Sequence, residues 1–372
     1  MEDVIMKQAK AFSNIVFLLF VSCMSSSCLM EKPLKITFGT YAPPALGDGW
    51  EISDPVAENI NSAQLDNIYR YVHNDGDLWQ IRSLLVFRNN KLVAESYMKT
   101  MDDRINPGAI WSATKQFTAV LAGIAVDKGL IDINAPISMY LSQTPSSKSE
   151  ITIENLLMMK SGINFDNDGF KGETSQLLRE EPSNSVNFIL NLSMRNSPGT
   201  SFYYNDGDPH IVSAVIQSAT DKTVCGWAKE VLFDKIGMER IQWFTYKDGV
   251  TLGAFGILTT PREMAKLGQL VLNNGVWNGE QIVSAGWLSE MTSAKVPSNE
   301  TGEQNIAFGY YWWRDTARDI SIMRGHGGQY VFINKDKKLM VVITAEPNTQ
   351  DDFQLSLHQG LALYDEINNA AN

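Results

Sequence analysis

Residues 112–115 (SATK) place a serine hydroxyl and a lysine amine three positions apart. On a helix such residues are surface neighbours. A neutral amine beside the hydroxyl can take its proton, and a helix N-terminus favours the negative charge that develops. The chemistry is that of an activated serine nucleophile. The tetrad alone is weak, because an exposed serine with an exposed lysine one turn on is more often a solvated helix face. Two other clusters carry matching chemistry. The loop 198–207 (PGTSFYYNDG) offers Tyr203 and Tyr204, either of which would relay a proton, followed by Asn205 and Asp206. The run 325–329 (GHGGQ) opens a strand with His326, Gly327 and Gly328, where consecutive glycines let a backbone approach a ligand closely. The amide of Gln329 would then donate to an oxyanion. The blander alternatives are an aromatic loop anchor for the tyrosine and a bulged strand start with a structural histidine. His73, His210 and His358 lack ligand spacing, so no metal and no cofactor are expected.

Several elements must position these groups. Residues 111–128 form a helix in which Phe117, Val120, Leu121 and Ile124 repeat at the spacing of one buried face, closed by Gly129 as a C-cap. Residues 62–75 (Leu65, Ile68, Tyr69, Val72) predict a helix, and 81–98 predict a β-hairpin around the turn 88–91 (RNNK). The stretch 130–250 reads as helix and loop, with helices at 153–159, 186–192 and 209–218; another helix follows at 261–273. Strand patterns return in the aromatic-rich 308–313, in 330–333 and in 339–344, the last two joined by the charged turn 334–338. A helix over 351–369 closes the chain. Strands at both ends with helices between predict an α+β fold, one antiparallel sheet flanked by helices with a mostly helical lobe inserted at about 130–250. Trp312 and Trp313 are candidates for a cleft wall, although buried sheet aromatics are commoner.

The chain has 372 residues, 44% hydrophobic and 20% charged, with a net charge of −11. That balance repels a phosphate backbone, and no basic stripe is present, so nucleic-acid binding is set aside. The N-terminus reads as an export signal over residues 1–23. Lys7 and Lys10 precede the apolar run 15–21 (IVFLLFV), which is too short to span a bilayer and ends in small residues. Residues 20–23 (FVSC) resemble a bacterial lipobox, with Cys23 the lipidation candidate and Cys28 a weaker one. Residues 24–60 read as a tether and lead-in segment, and 61–372 as the catalytic domain. Cys225 is the third cysteine, and no metal-ligand spacing links the three.

Taken together, these motifs resemble the serine β-lactamase-like hydrolases of the penicillin-binding-protein fold, in the branch of class C β-lactamases, 6-aminohexanoate-dimer hydrolases and esterases. The nucleophile tetrad is shared with class A relatives. The branch is similar in carrying Tyr-x-Asn in the middle and often His-x-Gly at the end. Residues 151–166 (ITIENLLMMKSGINFD) and 256–278 (GILTTPREMAKLGQLVLNNGVWN) also resemble family segments, and the likeness runs over about residues 62–370. Read literally, Tyr-x-Asn is Tyr203-Tyr204-Asn205; counted from Pro198, the family tyrosine falls on Tyr204 and Asp206 replaces the asparagine. The latter register aligns the following helix without a gap.

The resemblance implies a β-lactamase/transpeptidase-like fold and an acyl-enzyme on Ser112. Lys115 and Tyr204 would share the proton, and the backbone amides of Ser112 and Gln329 would form the oxyanion hole. Asn205, Asp206, Gly327 and Gly328 would lend support. Relatives that favour β-lactams usually carry lysine where this chain has His326, so an ester or amide substrate is expected ahead of a β-lactam. The alternatives are a β-lactamase or D-alanyl-D-alanine peptidase acting on cell-wall-like substrates, and a non-catalytic penicillin-binding lipoprotein module. The expected location is periplasmic or cell-surface, with membrane attachment through Cys23.

Overall fold

A computed structural model describes residues 35–167, 172–180, 182–346 and 354–371. The segment expected to be an export signal, with Cys23 and Cys28, lies outside the described residues.

Asn61 caps the first helix, α1 (Ser62–Asn74), by accepting the N–H groups of Ala63 and Gln64, and Leu65, Ile68, Tyr69 and Val72 bury its inner face. Strands β1 (Ile81–Arg88) and β2 (Lys91–Tyr97) form the expected hairpin. Asn89 and Asn90 turn it with φ of 52° and 70°, the left-handed pair that a two-residue hairpin turn needs and that asparagine tolerates. Five strands come from the far end of the chain: β3 (Ile306–Phe308), β4 (Trp313–Asp315), β5 (Ile320–Gly325), β6 (Gln329–Asn334) and β7 (Leu339–Ala345). The seven form one sheet in the order β2-β1-β7-β6-β5-β4-β3. The antiparallel pairing of β1 with β7, from Ile81 opposite Ala345 to Arg88 opposite Leu339, joins the two ends of the chain.

Strand alternation sends side chains of β6 to opposite faces. Val331 and Ile333 meet the helix α4 (Pro261–Leu272) at Gly268, whereas Tyr330 and Phe332 meet α5 (Leu357–Ala370) at Gly360. The closing helix starts later than the sequence pattern predicts, at Leu357, because Ser356 and Gln359 make a reciprocal capping box there. The aromatic stretch 308–313 is two strand ends around a turn at Tyr311, which has φ of 59°.

The helix α2 (Thr114–Asp127) departs from the one-faced pattern: Thr114 through Ala125 are all buried. It runs through the centre of the molecule, with α3 (Gly207–Thr220) against one side and Trp287 against another, where the indole N–H donates to the Ala119 carbonyl at 3.1 Å. Polar positions that look solvated in the sequence are therefore interior. Gly129, with φ of 66°, ends the helix as expected.

The period-free residues 36–51 run along β2, with Ile36 donating to Met98, Leu92 to Glu51 and Glu95 to Tyr41 through the backbone. A buried ion cluster pins them down. Arg262 on α4 pairs with Glu95 at 2.7 Å and with Asp48 at 2.9 Å.

Candidate active site

Ser112 sits in a single 3-10 turn, Trp111–Ala113, that feeds directly into α2. Trp111 just before it takes φ of 51°, a left-handed conformation unusual for a bulky residue and characteristic of strained functional turns. The turn is pressed from behind by the end of β5. A β-carbon on Gly325 would lie 2.1 Å from the Ile110 carbonyl oxygen and 3.2 Å from the Ala113 nitrogen. Gly325 therefore serves close approach of two backbones.

The Lys115 ammonium reaches back to donate to Ser112 Oγ at 2.9 Å. It also donates to Asp206 Oδ1 at 2.7 Å and to the Ala254 carbonyl at 3.1 Å. These three acceptors match the three donors of an ammonium group. Lys115 is fully buried, which works against its charge, but the Asp206 carboxylate and the neighbouring Tyr204 outweigh that cost and raise its pKa.

Tyr204 lies with its ring 5.0 Å from Lys115 Nζ, packed against Phe308 and Trp313. Tyr203 lines the same cleft as Tyr204, but its ring is stacked 3.8 Å from the Arg195 guanidinium carbon. The register counted from Pro198 thus puts the tyrosine nearest the lysine. Asn205 is turned away from Ser112: its Oδ1 accepts the Asp208 N–H at 2.7 Å and its Nδ2 donates to the Tyr203 carbonyl at 2.8 Å, tightening the turn into α3. Its part is to hold Tyr204 and Asp206 in place.

The glycine-rich run is a hairpin turn between two strands. β5 ends at Gly325, and Gly327 and Gly328 carry φ of 80° and 98° before β6 opens at Gln329. The His326 ring meets Trp111 edge-on at 5.6 Å, and its Nε2 is 3.3 Å from Gln354 Nε2. Partial burial, with the nearby Arg179 charge, lowers the His326 pKa below the usual imidazole value, so the ring is neutral at pH 7. The Gln329 side chain faces away, donating to the Ala345 carbonyl at 2.6 Å, which leaves only its backbone as a candidate oxyanion donor.

Ser112, Tyr204, Asp206, His326, Gly327 and Gly328 line one cleft of about 840 Å³. Trp313 also lines it, whereas Trp312 is fully buried. Sequence reasoning missed several participants. Ser175, in the short helix Glu173–Arg179, donates to the second oxygen of Asp206 at 3.0 Å, and Arg179 in turn donates to Ser175 Oγ at 2.7 Å. Arg324, one residue before Gly325, faces the cleft while paired with Glu303 at 2.6 Å. None of these belongs to a readable motif. Among the described residues no cluster of His, Cys, Asp and Glu has the arrangement of a metal site.

Known proteins share the fold of this chain, and a known family matches much of its sequence. The family model described as Beta-lactamase matches residues 81–363. The 6-aminohexanoate-dimer hydrolase of Paenarthrobacter ureafaciens is 22% identical over 307 residues, covering 76% of each chain. Among solved structures, a family VIII carboxylesterase superposes with a TM-score of 0.66 at 17% identity, over 83% of this chain and 97% of its own. The penicillin binding protein from Bacillus halodurans gives 0.59 at 16% identity, over 83% and 98%. With the fold and three quarters of the sequence so matched, this chain belongs to the β-lactamase family of serine hydrolases.

Proposed function

We propose that the protein is an exported serine hydrolase that cleaves a small ester or amide through an acyl-enzyme on Ser112. The observation that carries this reading is the direct contact of Lys115 Nζ with Ser112 Oγ, at 2.9 Å, inside a cleft that also holds Tyr204 and His326. Once the Lys115–Tyr204 pair has given up one proton to solvent, Ser112 Oγ attacks the substrate carbonyl carbon and its proton passes to that pair. The resulting oxyanion takes hydrogen bonds from the backbone N–H groups of Ser112 and Gln329. Collapse breaks the bond to the alcohol or amine, which leaves with the proton held by the pair. Water then attacks the acyl carbon and restores the Ser112 hydroxyl. The chemistry needs no cofactor.

Substrate class follows from charge. The neutral His326 supplies no fixed cation for a substrate carboxylate, and Arg324 is already paired with Glu303. This favours uncharged esters and amides over β-lactams, in keeping with relatives named as a carboxylesterase and a 6-aminohexanoate-dimer hydrolase. Export and attachment to a membrane through lipidated Cys23 rest on the lipobox pattern alone; a Cys23→Ala chain that still takes up labelled fatty acid would refute the anchor.

Time-resolved mass measurement of Ser112 with a fluorophosphonate, with p-nitrophenyl esters and with a labelled penicillin tests the enzyme reading. Rapid release of an ester-derived acyl group supports it. Faster turnover of nitrocefin than of esters would make it a β-lactamase, a lasting adduct with penicillin alone a binding module, and no labelling at all would remove catalysis.

A further inference from the structure

The third position of the tyrosine motif carries a carboxylate in place of an amide, and that carboxylate is tied on both oxygens. Asp206 Oδ1 accepts from Lys115 at 2.7 Å, and Oδ2 accepts from Ser175 Oγ at 3.0 Å. Ser175 Oγ accepts in turn from Arg179 at 2.7 Å. Lys115, Asp206 and Ser175 are buried, at 0%, 2% and 0% exposure, so the charges interact with little screening by water. A cation, an anion, a hydroxyl and a second cation thus form one line from the nucleophile to the helix Glu173–Arg179.

We propose that Asp206, Ser175 and Arg179 are positioning residues whose opposed charges set how tightly the Lys115–Tyr204 pair holds its proton. This rests on the acyl-enzyme reading above and adds the residues that tune it. The direction follows from Coulomb's law. The Asp206 carboxylate stabilises the protonated pair, so the pair becomes a competent base only at higher pH. Arg179, acting through Ser175, draws part of that negative charge to itself and tempers the effect. Other titratable groups also face the line. Arg324 and Tyr311 lie near Tyr204, Glu303 neutralises Arg324, Asp208 lies near Tyr311, and His326 faces Arg179.

The test is the pH dependence of Ser112 acylation by p-nitrophenyl acetate in the full-length protein and three variants. Asp206→Asn, which keeps the shape, moves the acid limb down by about one to three pH units. Arg179→Gln and Ser175→Ala move it up. Opposite displacements are something a merely structural role does not produce. A limb unmoved in Asp206→Asn, or displaced in the same direction by all three, overturns the proposal. The Nζ resonance of Lys115, titrated by 15N NMR in the same variants, reads the charge without turnover. Movement down in Asp206→Asn and up in Arg179→Gln supports the tuning even if Ser112 never acylates, which would sink the acyl-enzyme reading alone. A stationary resonance overturns the tuning even in an active enzyme.

Discussion

Gly325 and Ile110 touch backbone to backbone: a β-carbon on the glycine would stand 2.1 Å from the isoleucine carbonyl oxygen. The nucleophile turn thus rests directly on the end of a strand, with no side chain between. Gly325→Ala is expected to lower stability by about 1–3 kcal/mol through overpacking and to displace Ser112 from Lys115. Urea unfolding and fluorophosphonate labelling check this. Gly286→Ala is the matched control, since a β-carbon there would meet nothing within 4 Å and the position lies in the helix Ala285–Met291. It should unfold like the parent or slightly later.

The two adjacent tyrosines should behave differently. Tyr204→Phe removes the hydroxyl beside Lys115 and is expected to cut kcat/KM by about 10²–10⁴-fold, the usual worth of a proton-transfer group. Tyr203→Phe keeps the ring that lines the cleft over Arg195 and removes a hydroxyl that is not beside Lys115, so it should leave kcat/KM within about fivefold. Equal losses from both would refute the assignment of the proton relay to Tyr204.

How far the sequence discloses this site depends on distance along the chain. Ser112 and Lys115 are legible because helix geometry fixes residues three apart. The β1–β2 hairpin is legible because Asn89 and Asn90 are suited to left-handed turn positions. The start of α5 at Leu357 was also written locally, in Ser356 and Gln359, but a longer apolar pattern pulls the reading upstream. Complete burial of α2 is not legible, because Gln116 and Thr118 look solvated until partners remote in sequence, the Tyr311 and Gly253 carbonyls, accept their hydrogen bonds. The support of Asp206 by Ser175 and Arg179 is invisible for the same reason: it is made by folding, and no spacing rule encodes it.

Inside α3, Asp208 and His210 should make opposite contributions to acid stability. Burial pushes the Asp208 carboxyl up to about 7 from its ordinary 3.8, despite the Ser161 hydroxyl donating to it. The stability this group contributes is full below pH 3.8 and is lost as pH rises towards 7. Burial pushes the His210 imidazole down to about 4 from 6.5. Its contribution is full above pH 6.5 and is lost as pH falls towards 4. The first is worth about 4 kcal/mol and the second about 3 kcal/mol across its window, so they largely cancel. Asp208→Asn should therefore give a protein whose stability climbs from pH 4 to 6.5, and His210→Gln one whose stability declines from pH 4 to 7. Denaturant midpoints measured across that range decide it; parallel curves in both variants would show that neither group is held as described.

Arg262 is buried between Glu95 and Asp48, and removal of one partner leaves an uncompensated interior charge. Glu95→Ala is expected to cost about 3–5 kcal/mol. Replacing Glu95 and Arg262 together by methionine should recover part of that loss, because the closest pair is removed as a unit while Asp48 and Arg104 each lose one partner. Additive losses in the double variant would contradict the pairing.

The pairing of Ile81 with Ala345 also has a consequence for biosynthesis. The central ladder of the sheet, and with it the strand end on which the Ser112 turn rests, cannot close until the chain through Ala345 is available to pair with β1. Early portions of the chain must wait with their apolar strands unpaired, the condition under which slow, non-local topologies recruit chaperones. Hydrolytic competence therefore requires β7, and fragments ending before residue 339 should remain open to proteases and inert to fluorophosphonate.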